Sequence, residues 1–237
     1  MRDSQNHFRG PPKRHQPRGL TILYEDRDIL VVDKASGLLT VSTDKVKENT
    51  AYYLLTKYVR KGNQKSRHRV FIVHRLDRDT SGTTVFAKTL DAKRYLQEEW
   101  QQFQKTYYAV VHGKLPETQG IIASYLAENR AHKMYSVDDP ARGKLARTGY
   151  RVLREARTYS LLEIDLLTGR KNQIRVHLAD QGCPVVGDRK YGGKGKGKGI
   201  KRLALHAASI TIVHPYSREE MTFTARIPAY FQVLMNT

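Results

Sequence analysis

Short apolar runs separated by polar breaks dominate the chain, and most are too short to be helices. Residues 20–25 and 28–33 are two β-prone runs that meet at Asp26-Arg27, the pattern of a hairpin. Lys34-Ala35-Ser36-Gly37 breaks the second run. The apolar runs 70–73 and 83–87 flank a polar loop, a strand–loop–strand arrangement. Residues 107–112, 133–137, 146–153 and 159–167 read as further strands. In the last of these Leu162, Ile164 and Leu166 fall on one face and Glu163 and Asp165 on the other. Residues 203–213 and 221–227 form a closing hairpin around His214-Pro215, and 228–235 is a short amphipathic segment.

Helical spacing is found in three places. Asn49 is placed to cap a helix through about Tyr58. Thr89 is placed to cap one reaching about Phe103, with Ala92, Tyr95, Leu96, Trp100 and Phe103 on the face that packs against a sheet. Residues 171–181 read as a short helix stopped by Gly182. Strands outnumber helices and often follow one another directly. The pattern therefore predicts an α+β fold with a central mixed, largely antiparallel sheet flanked by helices and loops, not a doubly wound sheet. No linker interrupts the strand pattern, so residues 20–237 are expected to form one domain behind a disordered basic tail, 1–19. The Gly-Lys alternation at 192–199 predicts a mobile basic loop.

Composition narrows the partner. The chain has 237 residues, 39% of them hydrophobic, enough for a globular core. No apolar run approaches the ~20 residues of a membrane helix, and the N-terminus has no apolar signal core. Lys and Arg number 42 against 23 Asp and Glu, a net charge of +19. That excess points to a polyanion, and nucleic acid is preferred over a membrane because no basic helix carries a broad apolar face. Arg60, Lys61, Lys65, Arg67 and Arg69 lie in a stretch without acids, and Lys194, Lys196 and Lys198 line the Gly-rich loop; both are candidate phosphate contacts. The single cysteine, Cys183, cannot form an internal disulfide, which fits a reducing, cytoplasmic setting, and it reads as a packed residue. No Cys/His cluster has zinc spacing, so no metal is expected.

Three segments can carry chemistry. His74-Arg75-Leu76-Asp77-Arg78-Asp79-Thr80-Ser81-Gly82 sets a carboxylate between two arginines. An ordinary Asp has a pKa of ~3.9, and flanking cations favour its ionised form, which suits a nucleophile or base and not a general acid. On local composition Asp79 is as good a candidate, and a loop Asp that merely accepts backbone N–H bonds is the plain alternative. In Leu167-Thr168-Gly169-Arg170-Lys171-Asn172-Gln173-Ile174-Arg175-Val176-His177 a Thr-Gly turn opens a helix whose N–H groups suit an anion, and Arg175 can pair bidentately with a carboxylate or phosphate. In Lys105-Thr106-Tyr107-Tyr108-Ala109-Val110-Val111-His112-Gly113 the two tyrosines point to opposite faces, so one can face a site while the other packs.

Together, and in this chain order, the segments resemble the RluA family of RNA pseudouridine synthases. The nonapeptide matches the family's His-Arg-Leu-Asp-x-x-Thr-Ser-Gly. Lys105-x-Tyr107 with Ala109 and Gly113 matches its tyrosine motif, and Thr168-Gly169-Arg170 with Gln173 to His177 its arginine motif. Gly182-x-Pro184-x-x-Gly187-Asp188-x-x-Tyr191 and Leu205-His206-Ala207 resemble its later landmarks. The likeness covers about residues 20–230. Two departures stand out: Asn172 where the family commonly has His, and Ala35 where it commonly has Pro after Lys34, a change expected to loosen that loop. The 19 residues before the first strand are too few for the S4 RNA-binding domain of many relatives.

The resemblance implies the pseudouridine synthase fold and the isomerisation of uridine within RNA. The N1–C1′ bond breaks, the uracil turns, and C5 joins C1′, with no cofactor or metal. It implies Asp77 as the essential carboxylate, acting at C1′ or as a base at C2′. Arg175 would pair with Asp77, and Tyr107 would stack on the uracil. His74, Arg75, Leu76, Thr80, Arg170, Asn172 and Gln173 would contact substrate, with Arg75 filling the space left by the flipped nucleotide. The expected partner is a stem-loop of rRNA or tRNA, with a slight lean to rRNA, and the expected state a monomer. The alternatives are a noncatalytic RNA-binding or ribosome-assembly protein on the same fold, and a base-excising glycosylase.

Overall fold

A computed structural model describes residues 10–42, 46–192, 200 and 202–236. The chain divides into two compact units, Met1–Trp100 with Ile212–Ala225, and Gln101–Thr211 with Arg226–Thr237.

In the first unit β1 (Leu20–Glu25) and β2 (Ile29–Lys34) form the expected antiparallel hairpin. Asp26 closes it: its Oδ1 accepts the N–H groups of Asp28 (2.7 Å) and Ile29 (2.8 Å). α1 (Ala51–Val59) follows. Its cap is Thr50, whose side chain accepts from Tyr53 N–H, not the neighbouring Asn49. β3 (Phe71–Ile72) and β4 (Ser81–Ala87) flank the nonapeptide loop. β4 pairs antiparallel with both β2 and β3 and is buried along its whole length, which explains its unbroken apolar and small-residue sequence. Leu55 and Val59 of α1 pack with Leu20, Ile22, Leu30, Val32 and Phe86. α2 (Leu90–Glu98) is capped by Thr89 and gives way to a 3-10 turn at Glu99–Gln101, so it ends short of the expected Phe103.

The second unit is built on β5 (Gln104–His112), β6 (Gln119–Glu128), β7 (Met134–Val137), β8 (Lys144–Glu155) and β9 (Tyr159–Leu166), with α3 (Gln173–Asp180). It also holds most of β10 (Leu205–Val213), whose last two residues belong to the first unit together with β11 (Glu220–Thr224). α4 (Tyr230–Met235) ends it. The strands run β10-β5-β9-β8-β6-β7, each antiparallel to its neighbour. β6 is absent from the sequence reading. Only Leu126 of its ten residues is buried, so no period-2 apolar pattern marks it. Val176 of α3 packs on Leu126, Met134 and Ala146, setting the helix over β6, β7 and β8.

The tail expectation is corrected in part. Residues 10–19 are folded: a 3-10 turn spans Lys13–His15, and the Gln16 amide donates to Pro11 O (2.9 Å) and accepts from Ile22 N–H (3.2 Å), tying the segment to β1. Residues 1–9, and 193–199 of the Gly-Lys loop, lie outside the described residues. Among the described residues no helix is long and apolar enough to cross a membrane.

Candidate active site

In the first unit the backbone on either side of Asp77 is tied down. Thr40 Oγ1 donates to Leu76 O (2.9 Å) and accepts Leu76 N–H (3.2 Å). Arg78 O accepts from Gly37 N–H (2.9 Å) and from Lys34 Nζ (3.2 Å), and Ser36 Oγ donates to Asp79 O (2.7 Å). Asp77 itself is half-buried, whereas Asp79 is exposed and lies 3.9 Å from Arg78 in a loose surface pair.

Lys34 is a buried residue beside the site to which the sequence reading gave no role. It is fully buried, and its ammonium donates to Leu38 O (2.8 Å), Ala35 O (3.1 Å) and Arg78 O, joining the loop after β2 to the Asp77 loop. Burial pushes its pKa down to about 8, against the opposing pull of Asp79, Asp77 and Asp33. Burial likewise pushes Asp33 up to about 6, partly offset by Lys34 and a Gly82 N–H. A lysine ending an apolar strand reads as a solvated strand end, so composition gave no signal for it. The expected loosening at Ala35 is also corrected. Ala35 N–H donates to Gly19 O (2.9 Å), a bond that proline, having no N–H, cannot make.

The other residues of the loop divide by exposure. Leu76 and Thr80 are buried at 5% and 2%, under the loop. His74 Nε2 accepts Val85 N–H (3.0 Å) and its ring stacks on Trp100 at 4.2 Å, pinning the loop to β4. Arg75 is exposed. Arg60 Nε donates to His68 O (3.2 Å), Lys61 takes a positive φ of 49°, and Arg69 lies 4.9 Å over the Phe71 ring. Lys65 and Arg67 are exposed in the same ordered loop. Lys194, Lys196 and Lys198 lie outside the described residues.

In the second unit Tyr107 is 8% exposed on β5, between Ala207 of β10 and Ile164 of β9. Tyr108 takes the opposite face, where its hydroxyl meets Glu163 (3.4 Å). Arg175 makes a two-pronged ion pair with Asp188, Nε to Oδ2 at 2.7 Å and Nη2 to Oδ1 at 2.9 Å, and its guanidinium lies 5.2 Å from the Tyr191 ring centre. Asp188 is positioned in turn by accepting Lys190 and Tyr191 N–H on Oδ1. Gly187 enables this turn: its φ is +78°, and a Cβ there would sit 2.0 Å from Arg202 O.

Asn172 occupies a left-handed conformation, φ 53°, which asparagine tolerates better than most residues, and it accepts the Tyr191 hydroxyl (3.2 Å). The Thr168-Gly169 turn does not open the helix directly; α3 begins at Gln173, and Lys171 lies before it. Gln173 is 2% exposed, and all its amide bonds serve the protein. Its Oε1 accepts from Thr168 Oγ1 (2.7 Å) and Arg170 N–H (3.0 Å), and its Nε2 donates to Arg147 O and Thr148 Oγ1 (2.9 Å each). Its side-chain amide is thus engaged within the protein. Arg170 is exposed and donates from Nε to Leu145 O (3.0 Å). A cationic surface absent from the sequence reading surrounds Tyr191: Lys133 and Lys190 lie 5.3 and 5.8 Å from its ring centre, with Arg130 and Arg189 exposed nearby in the sequence.

Asp26, Asp28 and His214 bring metal-type ligand atoms together in the first unit. The polar atoms of Asp26 and His214 serve the chain instead. Asp26 Oδ2 takes His214 Nε2 (2.8 Å) and Tyr24 OH (3.1 Å), and His214 Nδ1 accepts Ser217 N–H (3.0 Å). Cys183 is buried, and its thiol meets Lys114 O (3.2 Å).

Fold and motifs define the class of a pseudouridine synthase. The family model for RNA pseudouridylate synthase matches residues 28–180. The chain is 36% identical over 224 residues to the RNA pseudouridine synthase YhcT of Bacillus subtilis, covering 92% of this chain and 72% of that protein. It is 37% identical over 231 residues to the ribosomal large subunit pseudouridine synthase D of Xanthomonas campestris pv. campestris, covering 92% and 69%. Among solved structures, human RNA pseudouridylate synthase domain containing 4 superposes with a TM-score of 0.73 at 25% identity, over 89% of this chain and 90% of that one. The chain belongs to the RluA family of RNA pseudouridine synthases, isomerases that act on RNA.

Proposed function

We propose that the protein converts uridine to pseudouridine at defined positions of a stem-loop in rRNA or tRNA, with Asp77 as the essential carboxylate. The observation that carries this is the setting of Asp77, half-buried between neighbours whose backbone groups are bonded by Thr40, Gly37 and Lys34. A carboxylate held that way arrives at the sugar already oriented, which removes entropy from the barrier. Addition at C1′ and base action at C2′ both remain open to it. Tyr107 would stack on the uracil, and Arg175 would supply the positive charge that the resemblance pairs with Asp77. Arg75, Arg170 and Asn172 would contact the flipped nucleotide's surroundings, and His74, Leu76, Thr80 and Gln173 would hold the loops.

Residues 20–237 would act as one catalytic domain, monomeric and cytoplasmic. Arg60, Lys61, Lys65, Arg67 and Arg69, the Gly-Lys loop and the cations around Tyr191 would contact phosphates and give affinity that falls with salt. Ribosomal RNA is favoured because the Xanthomonas relative is named for the large subunit. The test incubates the protein with rRNA and tRNA transcripts and digests them to nucleosides. Pseudouridine in RNA of unchanged mass is expected. Free uracil would establish a glycosylase, and salt-sensitive binding with neither product a noncatalytic RNA-binding protein.

A further inference from the structure

Gln173, His177 and Asp180 form one stripe of α3, at spacings of four and three residues, and each reaches a hydroxyl of a different strand. The bonds join into a single chain. Gln173 Nε2 meets Thr148 Oγ1 on β8 (2.9 Å), which meets His177 Nδ1 (2.9 Å). His177 Nε2 meets Ser124 Oγ on β6 (3.1 Å), which meets Ser136 Oγ on β7 (3.1 Å), and Ser136 donates to Asp180 Oδ2 (2.5 Å). His177 and Thr148 are wholly buried.

Donor counting gives the chain a direction. The Asp180 carboxylate only accepts, so the one proton of Ser136 is spent on it. Ser136 must then accept from Ser124, and Ser124 from His177 Nε2–H. That leaves Nδ1 as a lone pair accepting Thr148 O–H, while Thr148 accepts from Gln173 at the other end. Every hydroxyl is satisfied in one order only, and that order requires a neutral imidazole with its proton on Nε2.

We infer that His177 is a positioning residue for Arg175, fixing the rotation and axial position of α3 through this directed chain. The inference rests on the reading of Arg175 as part of the catalytic site. Arg175 lies two residues from His177, about 200° around the helix. A slip of the stripe on the strands therefore swings the guanidinium away from Asp188 and Tyr191. A second proton on the imidazole would put Nδ1–H against Thr148 and leave the Thr148 hydroxyl proton without its acceptor. Burial holds the His177 pKa below its ordinary value, with Asp180 pulling the other way. Among the described residues Asp180 is the charged group acting on the ring, and β6, β7 and β8 present to it the hydroxyls of Ser124, Ser136 and Thr148. The unfolded chain binds the proton first, so stability is full above the ordinary histidine pKa and falls as the pH drops through it.

Nitrogen-15 NMR of the intact protein at neutral pH should show His177 protonated on Nε2 alone; protonation on Nδ1 overturns the inference. His177→Gln keeps a donor and an acceptor, and His177→Phe keeps neither. The Phe variant should turn over RNA with kcat about 10- to 100-fold lower at a KM within about twofold, with the Gln variant recovering most of the loss. The Arg175 Nε–H resonance should move in the Phe variant and in Ser136→Ala, which cuts the chain with little change of volume. An unmoved resonance in Ser136→Ala, or equal losses in the Gln and Phe variants, overturns the inference. The NMR arms need no turnover, so a wild type that modifies no RNA would count against the synthase reading alone.

Discussion

The Asp77 loop and the Arg175 helix are held by opposite means. In the first unit a buried cation, Lys34, spends its protons on three backbone carbonyls, and no direct bond to a carboxylate accounts for its placement among them. In the second unit the cation is paired. Arg175 meets Asp188 in a fork, with Asp188 wholly buried and itself bonded by two backbone N–H groups. Holding Lys34 charged costs about 3 kcal/mol at neutral pH on the scale of its lowered pKa. The paired guanidinium offsets its own desolvation in place, at the risk that losing one partner leaves the other buried and uncompensated. One loop is thus organised through the main chain and sensitive on the alkaline side. The other is organised through side chains and, by way of His177, sensitive on the acid side.

Of the two supports, breaking the fork should have the larger effect. Arg175→Lys keeps the charge but not the two parallel N–H donors, so kcat should fall about 100-fold while RNA affinity, measured by filter binding, changes little. A variant with near wild-type turnover would show that charge alone suffices there.

Lys34→Met should cost less, about tenfold in kcat, because the Thr40 and Gly37 bonds to the loop survive. Its pH behaviour is the sharper readout. Between about 8 and the ordinary lysine value of 10.5 the unfolded chain keeps a proton that the buried amine gives up, so wild-type unfolding free energy should rise with pH across that window. Denaturant titrations should show the rise in the wild type and a smaller one in Lys34→Met, where burial still lowers the pKa of Lys105. A rise of equal size in both would remove Lys34 as its cause.

What the sequence made legible follows the same division. The hairpin of β1 and β2, the buried run of β4 and the alternation of β9 all announce themselves because one face or both faces are apolar. β6 does not, since its residues are nearly all exposed or half-exposed. The nonapeptide marked the Asp77 loop, but the lysine that holds the loop lies 43 residues earlier and looks like an ordinary strand end. Gln173 was read as a substrate contact because it is polar and sits in a motif, and only its burial reveals that the loop consumes its bonds. The partner of Arg175 found in the second unit, Asp188, stood in the sequence only as part of a downstream landmark.

Asp77 and Asp79 were equal on composition and now differ in setting, one half-buried between tied neighbours, the other on the surface. The most direct test is tritium release from RNA labelled at uracil C5, comparing Asp77→Asn with Asp79→Asn, since C5 loses its hydrogen only on becoming the glycosidic carbon. The account predicts release by the wild type, near-normal release by Asp79→Asn and none above background by Asp77→Asn. Release by Asp77→Asn at the wild-type rate would contradict it.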